Sequence, residues 1–115
     1  MNYDLEERTA KFSEEIIHFV GALVKNEVNK VLANQIIRSA TSIGANYMEV
    51  NQASSKKDFR NKIGICRKEA NETKYWIRMI ASANKDKASD CKKYWKESHE
   101  LVLIFAKIFS SSSKN

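Results

Sequence analysis

An all-α chain, folded as an up-down-up-down antiparallel four-helix bundle, is predicted by three observations. The sequence holds no proline and only three glycines, Gly21, Gly44 and Gly64, in 115 residues. A β-rich fold of this length needs a turn residue about every ten positions. Apolar residues recur at three-and-four spacing through four segments that together fill the chain. The breaks between those segments are short and polar, which makes antiparallel neighbours the simplest topology. One domain, residues 1–109, is expected at this length, followed by a polar tail over 110–115.

The first helix is expected over about residues 5–24, where Leu5, Phe12, Ile16, Phe19 and Leu23 form one stripe that also carries Thr9. The run 25–29 has no apolar period, and Asn29 is a candidate cap for a second helix over about 30–51. That helix aligns Leu32, Ile36, Ala40, Ile43, Tyr47 and Val50, and small residues around Gly44 thin its middle. Glycine inside a helix costs roughly 1 kcal/mol against alanine, so its presence implies a close helix contact. Ser54 or Ser55 can cap the third helix, about 55–80, with Asp58 in the first turn facing the positive end of the dipole. Phe59, Ile63, Cys66, Ala70, Thr73, Ile77 and Ile80 then follow an unbroken 4-3 alternation. Cys91, Tyr94, Ser98, Leu101, Phe105 and Ile108 repeat it in a fourth helix over about 87–109. SSSSKN has nothing apolar to bury and is expected to fray.

Charge is distributed unevenly. Residues 1–55 carry five basic and seven acidic side chains, 56–78 eight and three, and 79–115 seven and four, within a net charge of +6. On a helix, Lys56, Arg60, Arg67, Lys74 and Arg78 fall within an arc of about 40° and form a ridge about 33 Å long, with Asn71 beside it. Three arginines on one line suit bidentate phosphate contact. Two readings stay open: a phosphate-binding ridge, or a solvated helix face whose last cations complement the dipole. The third helix places no aromatic residue on this ridge to stack bases, so sequence-specific recognition of a single strand is not expected.

Other chemistry finds little support. Glu15-Ile16-Ile17-His18 fits one half of a di-metal bundle motif, but the only other histidine, His99, lacks the matching glutamate, so no metal or cofactor is expected. Cys66 and Cys91 have no zinc or redox spacing and read as small buried residues. Glu69 and Glu72 lie beside Trp76, away from the ridge. They require cationic partners, for which Arg38 is the candidate. No nucleophile motif or phosphate-binding glycine loop is present, so no catalytic residue and no enzymatic activity are expected. Apolar Ile65, Trp76 and Met79 on the third helix, and Trp95, Val102 and Phe109 on the fourth, lie off the main stripes. Such surplus faces fit a homo-oligomer interface, with a wider monomer core as the alternative. No leader pattern and no apolar run of 18 residues occurs, so a cytoplasmic protein without membrane contact is expected.

Residues 34–80 are specific enough to carry a resemblance. The string Arg38-Ser39-Ala40-Thr41-Ser42-Ile43-Gly44-Ala45-Asn46-Tyr47-Met48-Glu49 resembles the second-helix motif of the 23S rRNA intervening-sequence proteins, the S23 family. Lys68-Glu69-Ala70-Asn71-Glu72-Thr73 with Tyr75-Trp76 is similar to the family's third-helix motif, and a weaker likeness runs from about Glu6 to Phe109. The resemblance implies a four-helix bundle that assembles as a homopentamer with a basic surface and has nucleic acid as partner. It extends to the accessory protein of diversity-generating retroelements, which implies a possible protein partner such as a reverse transcriptase. It assigns no individual binding residue, and the basic ridge is a separate inference.

Overall fold

The computed structural model describes residues 4–112, which form α1 (Leu5–Gly21), α2 (Glu27–Val50), α3 (Lys56–Ala83) and α4 (Ala88–Ser111), with a 3-10 turn at Lys85–Lys87. Side-chain oxygens start the first three helices, because the first backbone N–H groups of a helix have no internal acceptor. Asp4 accepts from the Glu7 N–H, Asn26 from Asn29 and Ser55 from Asp58. At α3 the Asp58 carboxylate also accepts from the N–H of Ser54, the residue before the cap, at 3.0 Å.

Chain order and side-chain contacts give the expected antiparallel bundle, a rod with extents of 49 × 20 × 19 Å. Thr9 faces Gly44 and Ser13 faces Ala40 between α1 and α2. Ser39 meets Thr73 between α2 and α3, and Ser98 meets Ala70 between α3 and α4. The core is the set of apolar stripes read from the sequence: Phe12, Ile16, Ile36, Ile43, Ile63, Ile77, Leu101 and Phe105 are all buried.

Small polar residues sit inside this core without leaving unpaired groups. Ser13 Oγ donates to the Ala40 carbonyl at 2.9 Å, the Ser39 and Thr73 hydroxyls lie 2.8 Å apart, and Ser98 Oγ donates to the Ala70 carbonyl at 2.7 Å. Among the described residues every buried side-chain nitrogen or oxygen has a partner, as a low-dielectric interior demands. Their small volume brings neighbouring backbones together, most tightly at Gly44, where a Cβ would lie 3.1 Å from Thr9 Oγ1.

The helix ends differ from the expected ones by a few residues. α1 stops at Gly21 rather than about residue 24, and α2 starts at Glu27 rather than about residue 30, with Asn26 and not Asn29 as its cap. Asn29 is buried. It donates to the Val24 carbonyl and to Asn84 Oδ1, while Asn84 Nδ2 returns a 2.8 Å bond to Asn29 Oδ1. α3 continues to Ala83 and α4 to Ser111, two residues into the segment expected to fray. The last three positions of that tail, 113–115, lie outside the described residues.

Candidate nucleic-acid interface

The third helix sets the ridge. Its apolar stripe is fixed against α2 and α4, so the residues about 80° away along the helix face the seam with α4 and the solvent beyond it. Lys56, Arg67 and Arg78 are exposed. Arg67 and Arg78 have no ion pair among the described residues, in contrast to Arg8, Arg38 and Lys62, each of which meets a carboxylate.

The other two ridge cations do not point freely into water as the helix geometry alone implies. Arg60 is half-buried. Its guanidinium lies 4.0 Å from the centre of the Phe109 ring, and Nη1 donates to the Phe109 carbonyl and to Ser112 Oγ. It therefore closes the C-terminal end of α4, where carbonyls lack internal donors and a cation meets the negative end of the dipole. Lys74 is also half-buried: Nζ lies 2.9 Å from His99 Nδ1 and 4.6 Å from the centre of the Trp95 indole. The expectation that no aromatic residue borders the ridge is thus corrected. The fourth helix supplies Trp95 and Phe109, which inspection of α3 by itself cannot reveal.

The residues expected at a subunit interface have the following places within one chain. Trp95 and Phe109 belong to the ridge seam. Trp76 and Val102 are partly buried against the core, Met79 is half-buried, and Ile65 is 40% exposed. A different apolar surface lies where α1 meets α2: Val24, Val28 and Val31 are more than half exposed, and Ile17 adds to them beside a groove that also involves Val20 and Ala33. Sequence periodicity places Val24 inside α1 and gives the other valines no role.

On the opposite side of α3, Glu69 and Glu72 find the partner expected. Arg38 Nη1 lies 3.3 Å from Glu69 Oε1, and Nη2 pairs with Glu72. The Trp76 indole N–H donates to Glu72 Oε2 at 2.9 Å. These bonds, the indole's first and the guanidinium's next, hold the Glu72 carboxyl below its ordinary pKa. Both carboxylates are therefore committed to fastening α2 to α3, which leaves the cations of the ridge on a separate face.

Cys66 and Cys91 are buried free thiols, and desolvation pushes Cys66 up to about 12. His18 is exposed. Among the described residues no group of three or more histidine, cysteine, aspartate or glutamate side chains is placed to hold a metal ion, and no helix is long and apolar enough to cross a membrane.

The profile of the 23S rRNA-intervening sequence protein family matches residues 1–107. The chain belongs to this family. A crystal structure described as a protein of unknown function from the S23 ribosomal protein family of Bacteroides thetaiotaomicron VPI-5482 is similar to it at a TM-score of 0.83. That protein is 33% identical in sequence, over 91% of this chain and 94% of that one. No curated protein matches the chain significantly. Membership in the 23S rRNA-intervening sequence family, together with that structural likeness, establishes the all-α bundle and agrees with the second- and third-helix motifs. It transfers no site residue, so the ridge stands on its own geometry.

Proposed function

We propose that this protein is a non-catalytic nucleic-acid-binding bundle, cytoplasmic in setting, whose α3 ridge holds phosphates of RNA or DNA. The observation that carries the reading is the pair Arg67 and Arg78, exposed and without ion pairs among the described residues, with Lys74 between them and net charge of +5 over residues 56–78. Eleven residues of helix separate the two arginines by about 16 Å, which places them on successive stretches of a sugar-phosphate backbone. The family's description, which refers to an intervening sequence of 23S rRNA, supports RNA as the first polymer to test. Binding should weaken steeply with salt, because each neutralised phosphate releases counterions. Arg67→Glu with Arg78→Glu should lower affinity for rRNA fragments at least tenfold without changing the melting temperature. It should also reduce the slope of log K against log salt by about 1.4, two contacts' worth on a single strand. Salt-independent binding, or none, overturns the reading. Arg60 is unsuited to this test because it secures α4.

A second reading, an interaction scaffold, is favoured by the exposed Val24, Val28 and Val31. Further copies of this chain are the first occupant to test, and five copies are what the family resemblance implies. Light scattering should then give five times the 13.2 kDa chain mass, and Val28→Lys with Val31→Lys should return a monomer. A monomeric wild type, with a polymerase or other protein captured in its place, would redirect this surface to a different partner.

A further inference from the structure

The ridge seam contains an aromatic surface whose geometry can be followed atom by atom. Trp95 is 39% exposed. Its indole stacks on His99, with ring centres 5.1 Å apart and planes 17° from parallel. Lys74 Nζ lies 4.6 Å over the same indole and 2.9 Å from His99 Nδ1. An ammonium so close to the imidazole cannot stand across the indole plane from it, so His99 and Lys74 share one face of Trp95. Among the described residues no ring or cation contacts the opposite face. One side of the indole is thus clamped by an imidazole and an ammonium. The other carries neither among the described residues, in a side chain left 39% exposed, with Lys74 beneath and Arg67 and Arg78 to either side along α3.

We propose that this other face of Trp95 is a stacking platform for an unpaired base, so that the α3/α4 seam takes a single strand of nucleic acid in preference to a duplex. The inference rests on the phosphate-binding reading above and adds to it the class of ligand. An indole fixed from behind loses little freedom when a base settles on it. Stacking accepts any base, since each presents a π face, so the preference concerns strandedness and not sequence. A paired base is already stacked on its neighbours and cannot lie on the indole without being turned out of the helix. Phosphates on either side of the stacked base reach the flanking arginines, which gives a strand two kinds of contact where a duplex has one.

The test uses a twelve-nucleotide RNA of mixed sequence and the duplex formed with its complement. In the Trp76→Phe chain, with melting checked against wild type, Trp95 is the only tryptophan. The single strand should quench its emission and the duplex should not. Independently of that background, Trp95→Leu in the otherwise wild-type chain should weaken single-strand binding roughly 5- to 150-fold, the range measured for losing one stacked base. Duplex affinity should stay within twofold. Equal effects of Trp95→Leu on both ligands, or no effect with no quenching, overturn the platform while leaving a salt-dependent phosphate site in place. Failure of the wild-type chain to bind either ligand removes the phosphate site and the platform together.

Discussion

Gly44 and Gly64 occupy similar mid-helix positions, yet the structure gives them opposite roles. A Cβ at Gly44 would meet Thr9 Oγ1 at 3.1 Å. That hydroxyl is held by the Leu5 carbonyl at 2.7 Å and cannot turn aside without losing the bond. At Gly64 the nearest atom is Phe109 Cε2 at 3.7 Å, an ordinary contact. Gly64→Ala should therefore gain up to about 1 kcal/mol from helix propensity. Gly44→Ala should lose stability by about 1 kcal/mol as overpacking outweighs the same gain. Urea denaturation of the two variants checks the opposite signs. The sequence made the close approach at Gly44 legible through its cost, but it carried no sign of what lay opposite, because Thr9 is 35 positions away in another helix. Glu72 supports a second prediction at this scale. Its pKa is depressed in the folded chain, so its contribution to stability is present above the ordinary glutamate value of about 4.3 and is lost as pH falls through the folded value. Lowering the pH from 7 to 3 should accordingly cost wild type more stability than Glu72→Gln, measured by urea midpoints. Equal losses would show that the Arg38 and Trp76 contacts do not favour the ionised form.

At the scale of helices, the interiors were readable and the ends were not. A 3.6-residue period extends over many positions and survives a few irregular ones, whereas an end is decided by one local contest. Asn26 and Asn29 are both capable caps. The choice falls to Asn26 because Asn29 is drawn inward to Asn84, which holds the far end of α3 beside the start of α2. The two amides exchange hydrogen bonds, and each also binds a backbone carbonyl, of Val24 or Ile80. Removing one leaves the other buried with an unmet donor, so Asn29→Ala should cost about 1–3 kcal/mol. Asn84→Ala should cost a similar amount, and the double variant less than the sum of the two. A cycle with no coupling would show that the amides act separately. The reach of α4 into its serine run has a comparable cause: Arg60, on another helix, binds the carbonyl of Phe109 and the hydroxyl of Ser112. Neither partner can be inferred from the serines themselves.

The whole rod is not closed with equal firmness. α2, α3 and α4 span 24 to 28 residues each and meet along long, close backbone seams, while α1 has 17 residues and lies close only to α2. Its seam with α4 is wider and is bridged by long side chains, the Phe19 and Tyr94 rings at 5.1 Å and the partly exposed Arg8–Glu97 pair. An exposed ion pair adds little, at most about 1 kcal/mol, so most of what retains α1 is its apolar stripe. Local opening follows the weakest seam. Amides of α1 should exchange with solvent faster than those in the middle of α3, and the difference should widen in low urea. The ridge and its aromatic seam are built entirely by α3 and α4, so nucleic-acid binding should persist at urea concentrations where α1 has already lost protection. Hydrogen exchange followed by mass spectrometry, alongside a binding titration at each concentration, tests both statements. If α1 and α3 lose protection together, the bundle opens as one unit and the binding face depends on all four helices. If α1 opens first while affinity holds, the position of the cations on α3, packed between α2 and α4 and away from α1, explains why the functional surface outlasts the first helix.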